Sequence, residues 1–336
     1  MIGVDIGATY IRAALSNLDG EFVFEIHRST TIKHGFKDVM KQVGRVIEKL
    51  TKRAKTNGYR VFGIGVSVRG IVNGKTGMVI YSPVFQWHNV NLIKELHKYT
   101  DLKVTIGNDA QLIALGELYF GIGTQYDHFI IMKLGYGIGA GIVVNRQPFY
   151  GWEGYTGEIG HIVIDPTSEL KGQAGLHGTL EVLASGYGVA DIAKERIKEG
   201  KSSTLSKLSI ESIDAKAVIN AAIEGDKLAV SIVDSAAGYV GISIDTLIKL
   251  FNPQAVSLSG GMLRNEYLIK KIREKVESVS LSPYQNKVPI LPSSFGEEAT
   301  LMGAISLILQ DILVLNMNNS SLPEIEEIEA RIANGN

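Results

Sequence analysis

A chain of 336 residues, 45% hydrophobic and 21% charged, has the balance of a folded globular protein and the length for two domains of ordinary size. Its formal net charge of -1 argues against a broad basic surface for nucleic acid, and the lack of any cysteine excludes disulfides, thiolate nucleophiles and sulfur-ligated zinc. The opening MIGVDIGATYIRAAL carries Asp5 and no basic leader before an apolar run, so we expect no secretory signal and a cytoplasmic protein.

Ile2 to Asp5, Gly7-Ala8-Thr9 and Ile11 to Leu15 read as strand, turn and strand, and Asp19-Gly20 turns into a third strand over Glu21 to Ile26. Val39, Val43, Val46, Ile47 and Leu50 recur at helical spacing between Phe36 and Ala54, with lysines and arginines as a solvated face. Arg60 to Val68 predicts a strand ending in Arg69-Gly70, and Asn73-Gly74 turns the chain towards Met78 to Tyr81. Lys103 to Ile106 is a short strand, after which Gly107-Asn108-Asp109 opens a helix through Leu112, Ile113, Leu115, Leu118 and Tyr119. Asn108 or Asp109 can cap that helix. A carboxylate at the C-terminal end of a strand also stands where α/β proteins bind ligands, so Asp109 has two readings.

Leu134 to His161 reads LGYGIGAGIVVNRQPFYGWEGYTGEIGH. Gly135, Gly137, Gly139 and Gly141 alternate, so in an extended chain they share one face that admits either a packed neighbour or a phosphate. The β-formers His128 to Leu134 and Ile142 to Val144 make this a strand, a glycine turn and a returning strand, too short and too charged at Lys133 to span a bilayer. Aligning Asp5, Gly7 and Thr9 with Gly135, Gly137 and Gly139 gives a constant offset of 130 and suggests a duplicated architecture with a ligand between the halves. Gly151, Gly154, Gly157 and Gly160 then space out Trp152, Glu153, Glu158 and His161 without helical or strand periodicity, the mark of a binding loop.

Gly178 to Glu181 and Tyr187 to Lys198 read as helical, and Lys201 to Ser212 as a Ser/Lys-rich surface loop. Ala215 to Ile223 and Leu228 to Phe251 are helices, the second apolar on more than one face and therefore buried between layers. Ala255 to Leu258 is a strand running into Ser259-Gly260-Gly261 and a helix over Glu266 to Val276, a pattern that fits a nucleotide-binding turn but recurs widely. Glu297 to Leu309 is an apolar helix, and the charged tail from Leu322 is a short surface helix or a frayed end.

Asp5-x-Gly7-Ala8-Thr9, Gly107-Asn108-Asp109-Ala110, the glycine turn, Gly157-Glu158-Ile159-Gly160-His161 and Ser259-Gly260-Gly261 stand in the order and spacing of the ROK family of sugar kinases and related repressors. The chain resembles that family over about residues 2 to 310, most specifically in the Gly-Glu-Ile-Gly-His element joined to the glycine turn. The resemblance implies an α/β fold of the two-domain, actin-like ATPase (ribonuclease H-like) class with a central cleft. Residues 1–108 plus 297–336 would form the smaller domain and 109–296 the larger. It also implies an ATP-dependent kinase, of glucokinase or hexokinase type, acting on a hexose or N-acetylhexosamine.

Carried over residue by residue, the resemblance makes Asp109 the general base, sets Asn108, Glu158, His161 and Glu181 on sugar hydroxyls, and lays Gly70 against the sugar. Asp5 would orient Mg²⁺ through water, Gly7, Thr9, Gly135, Gly137 and Gly139 would cradle the phosphates, and Gly260-Gly261 would lie against the adenosine. These residue types suit the chemistry, because phosphoryl transfer to a hydroxyl needs alignment, charge neutralisation and a nearby carboxylate. A two-domain cleft can close to exclude water. The expected partners are a small-molecule sugar and a second copy of the chain in a homo-oligomer (dimer), with no nucleic acid and no membrane.

Four departures from the family pattern stand out. The family's zinc cysteines correspond to Gly172, Ala174 and Thr179, so His161 loses its co-ligands and no structural zinc is expected. Tyr10 replaces a usual Lys or Asn, Tyr136 a usual Thr, and Val84 a usual Asn near the sugar. Two further readings stay open: a non-catalytic sugar-binding regulator of the same fold, and a kinase with another phosphate donor such as polyphosphate. Tyr10 and Tyr136 favour the regulator, whereas the retained Asp5, Thr9 and Asp109, and a chain starting at its first strand with no helix-turn-helix ahead, oppose it. The other donor would want a basic channel that the sequence does not display.

Overall fold

The computed structural model describes residues 1–30, 35–263, 266–281 and 287–319; the charged tail from Leu322 lies outside them. The first half is built on β1 (Ile2–Ile6), β2 (Tyr10–Ser16) and β3 (Phe22–Ser29), the expected antiparallel meander. α1 (Phe36–Thr56) leads to β4 (Ile64–Val68), which pairs parallel to β1. A small antiparallel sheet of β5 (Ile71–Asn73), β6 (Met78–Ser82) and β7 (Trp87–Asn91), followed by α2 (Leu92–Leu96), intervenes before β8 (Val104–Asn108) closes the main sheet in the order β3-β2-β1-β4-β8.

α3 (Asp109–Phe120) crosses to the second half, where β9 (Phe129–Leu134), β10 (Ile138–Val144) and β11 (Gln147–Pro148) form a second meander. Four helices follow: α4 (Leu180–Ala184), α5 (Gly186–Lys198), α6 (Ala215–Ile223) and α7 (Lys227–Phe251). β12 (Ala255–Ser259), α8 (Glu266–Val279), β13 (Ile290–Pro292) and α9 (Ala299–Asn319) complete the described chain. The second sheet runs β11-β10-β9-β12-β13, with the same antiparallel and parallel pairings as the first.

The duplication suggested by the glycine turns is therefore a property of two whole sheets. Its offset differs from the expected 130, however, because the turn-closing bonds are Gly7 N to Tyr10 O and Gly135 N to Gly137 O, which place Gly135 on Gly7, 128 residues apart. The second turn is one residue shorter, a detail that a run of alternating glycines conceals.

Strand alternation then assigns faces. Ile2, Val4 and Ile6 point into a core covered by α1 and α2, while Ile130, Met132 and Leu134 point into a core covered by α4 to α8. α7, long and apolar as the sequence indicated, lies in that second core. Between the sheets run α3 and α9. α9 turns Leu301, Ile305 and Ile308 towards the first sheet, and Ala299, Ala304 and Leu307 towards α3 and the second. Asp5 and Lys133, equivalent positions in the two halves, lie on the opposite strand face from these outer-core residues.

Some boundaries move. β4 begins at Ile64 rather than Arg60, because its partner β1 begins at Ile2 and the ladder cannot start earlier. The 201–212 segment contains two 3-10 turns, Thr204–Lys207 and Ile210–Ser212, and buries Leu205 in the second core, so it is more than a surface loop. β7 and α2 carry no clear periodicity and were not expected from the sequence.

Candidate active site

Asn108 ends β8 and caps α3: its Oδ1 accepts from the amides of Ala110 at 2.9 Å and Gln111 at 3.2 Å. The capping role that the sequence left open between two residues thus belongs to Asn108. Asp109 begins the helix, where its negative charge faces the positive end of the helix dipole. Its Oδ1 accepts from Ala110 N at 2.9 Å, and its Oδ2 receives Lys133 Nζ at 2.6 Å. At 9% exposure, burial pushes the Asp109 carboxyl up, but Lys133, Arg69 and the Ala110 amide outweigh it and hold the group below its ordinary range. Asp109 is a carboxylate at neutral pH.

The glycine-rich loop reaches this point because Gln111 Nε2 on α3 donates to Gly154 O at 2.9 Å and Thr156 O at 2.8 Å, while Ala140 N donates to Gly157 O at 2.8 Å. Glu158 and His161, the two ends of a one-turn 3-10 segment, are delivered together with 3.7 Å between Nε2 and Oε2. Burial first, then the charges of Asp109 and Glu181, push the Glu158 carboxyl up to about 7 against the pull of Arg69. Asn108 Nδ2 donates to Gly70 O at 2.9 Å and approaches Glu158 Oε1 at 3.5 Å.

Glu181 comes from α4, whose first turn is capped by Thr179. Its Oε2 accepts from Arg69 Nη2 at 2.8 Å and from Ile138 N at 3.1 Å. The resulting cavity of about 40 Å³ is bounded by Gly70, Asn108, Asp109, Glu158, His161 and Glu181, so all six sugar-side residues expected from the sequence converge. Trp152 and Glu153 do not: Trp152 is 94% exposed and Glu153 also faces solvent, so only the second part of that loop builds the site.

Two site residues were missed. Lys133 sits in an otherwise apolar strand, and alternation places it on the face towards α3, where Asp109 begins. That alternation was the available signal. Arg69 follows β4, crosses to Glu181 in the other half and lies 5.2 Å over the Tyr136 ring. Its partner is 112 positions away, so no local pattern could disclose it.

The residues expected at phosphate are more scattered in character. A β-carbon on Gly137 would collide with the Arg69 guanidinium and the Glu181 carboxylate, so this glycine makes room for the bridge between the halves. Gly139 and Gly141 face α3, with Ala110 Cβ 3.1 Å and Ala114 Cβ 2.5 Å from where their β-carbons would be, so helix packing accounts for both. Gly261 borders open space, a β-carbon on Gly135 would only touch Lys133 Cε at 3.8 Å and Gly137 O at 3.9 Å, and Gly260, at φ 114°, lets its turn pass under Leu134 O. Thr9 is exposed at the tip of the first turn, beside an exposed Tyr10. Asp5 is paired with Arg12, whose Nη2 and Nε donate to its Oδ2 at 2.7 Å and 3.2 Å, while Nη1 donates to Glu297 O.

Two α/β halves of matching topology, joined through α3 and α9 around a pocket at their strand ends, define a two-domain actin-like ATPase. A family model described as ROK family matches residues 1–311, and the chain belongs to that family. It is 33% identical over 316 residues to a glucokinase of Thermotoga maritima, covering 93% of this chain and 98% of that protein. It is 30% identical over 315 residues to a xylose repressor of Caldicellulosiruptor bescii, covering 93% of this chain and 79% of the repressor. Among solved structures, a ROK family glucokinase from Streptomyces griseus in complex with glucose and AMPPNP superposes with a TM-score of 0.81 at 28% identity, covering 92% of this chain and 99% of that one.

Proposed function

We propose that this protein is a sugar kinase that transfers the γ-phosphate of ATP to a hydroxyl of a hexose or N-acetylhexosamine. The observation that carries the reading is the ionised, buried Asp109 in a cavity shared with Glu158, His161, Glu181 and Asn108. A sugar hydroxyl placed against Asp109 attacks the γ-phosphorus, its proton passes to the Asp109 carboxylate, and the bond to the ADP oxygen breaks. Each carboxylate oxygen has two lone pairs, so Lys133 and Ala110 leave capacity for the incoming hydroxyl. Glu158, with its carboxyl near neutrality, and His161 can each donate or accept towards neighbouring hydroxyls. Glu181 accepts from another hydroxyl once Arg69 releases it.

Asp5 fits a Mg²⁺ role, since this cation takes one or two carboxylates and completes its shell with water and phosphate, and Arg12 engages only Oδ2. When bound, the ion would neutralise charge between the β- and γ-phosphates. We take the exposed first turn at Thr9, the uncrowded turn at Gly135 and the open border at Gly261 as the nucleotide side. The domain boundaries of this reading remain residues 1–108 with 297–336, and 109–296.

A second reading, a sugar-binding regulator, is favoured by the Lys133 pairing of Asp109 and by the similarity to a repressor. Asp109→Asn separates the roles. The helix cap survives, because Asn108 provides it, and the shape is unchanged. The lost charge partner of Lys133 lowers stability by about 1–3 kcal/mol. Turnover falls at least about a hundredfold with sugar affinity retained. Near-normal turnover would overturn the assignment of the base.

A further inference from the structure

Beside the inner cavity lies an outer one of about 680 Å³ that shares Pro83, Val84 and Gln173 with it. Its remaining walls are Tyr81, Gln86, His88 and Tyr136. The Tyr81 and His88 rings lie 4.9 Å apart at 43°, and Tyr136, 46% exposed, is held by Gln173 Nε2 donating to its hydroxyl at 2.7 Å. Among the described residues the wall contains no Asp, Glu, Lys or Arg, in contrast to the inner cavity with its three carboxylates, Arg69 and Lys133.

This composition selects a ligand class. Arg69, which lies over the Tyr136 ring, is already paired with Glu181 and leaves a phosphate or an acidic group without a free cation on this wall, and a purely aliphatic group would leave unused the Gln86 amide and the remaining hydrogen-bonding capacity of the Gln173 amide and the Tyr136 hydroxyl. A neutral pyranose ring suits both kinds of surface: its C–H face covers an aromatic ring and its hydroxyls bond to amide and phenol groups. Val84, which stands between the cavities, offers an apolar surface over which one molecule can extend into both.

We propose that the outer cavity is a second glycosyl subsite, so that the protein takes a disaccharide or larger glycoside with one ring inside and the next against Tyr81, Gln86 and His88. This rests on the reading of the inner cavity as a sugar site, and it extends that reading from monosaccharides to glycosides.

Calorimetry on the full protein tests it with glucose, N-acetylglucosamine, maltose, cellobiose, gentiobiose and chitobiose. At least one disaccharide should bind about tenfold tighter than its monosaccharide, the worth of one aromatic contact with its hydrogen bonds. Tyr81→Ala should erase that advantage while leaving monosaccharide affinity unchanged, and Gln86→Ala, in an exposed turn, should reduce it without risk to the β6 ladder. Monosaccharide binding with every disaccharide equal or weaker overturns the second subsite and leaves the kinase reading standing. No binding of any sugar would overturn the inner site and the outer one with it.

Discussion

Three carboxylates face one small cavity, and the environments of two of them, Asp109 and Glu158, drive their affinities for a proton in opposite directions. Asp109 is held ionised by Lys133, Arg69 and the Ala110 amide against its burial, whereas partial burial and two neighbouring negative charges push the Glu158 carboxyl up to about 7. The Glu158 shift has a consequence for stability. A carboxyl raised from 4.5 to about 7 on folding favours the folded state fully below pH 4.5, and this contribution is lost as pH rises towards and through 7. Glu158→Gln, which mimics the neutral acid, should therefore raise the melting temperature at pH 8 while changing it little at pH 5. Thermal scans at the two values check this; an equal effect at both would contradict the burial of an ionisable Glu158. That Asp109 after a strand, and Glu158 and His161 in a glycine loop, stand at the cavity was legible from their own neighbours in sequence. Arg69 and Lys133 were not, because a charge at the end or middle of an apolar strand acquires meaning only when a distant partner is folded against it.

At the level of elements, the 166–178 loop carries Gly172 and Ala174, two of the positions that the resemblance matches to zinc cysteines. It closes on itself through Gly172 N to Leu176 O at 2.9 Å and Gly178 N to Leu170 O at 3.1 Å, with His177 Nδ1 2.9 Å from Glu169 O. Thr179, the third such position, caps α4. We predict a folded, active protein with no stoichiometric zinc; elemental analysis showing one zinc per chain would contradict this. Long, strongly patterned elements such as α1, α7 and the two meanders could be read from spacing alone. The start of β4 could not, since a strand begins where its neighbour does, and the offset between hairpins was hidden by interchangeable glycines.

Across the whole molecule, Arg69 ties the first half to the second through Glu181 and the Tyr136 ring. The inner cavity, about 40 Å³, is lined by both partners of this bridge, and we predict that the bridge yields when sugar enters. Arg69→Ala should lower the sugar KM about threefold to tenfold with kcat little changed, because the open form no longer has to compete with the bridged one. A higher KM would mean that Arg69 holds the sugar instead. The central claim, that this cavity supports phosphoryl transfer, is tested most directly by coupled measurement of ADP release from ATP and Mg²⁺ over a panel of hexoses and acetamido sugars. The account predicts ADP release that depends on at least one of these sugars, and sugar binding with no sugar-dependent ADP release across the panel would contradict it.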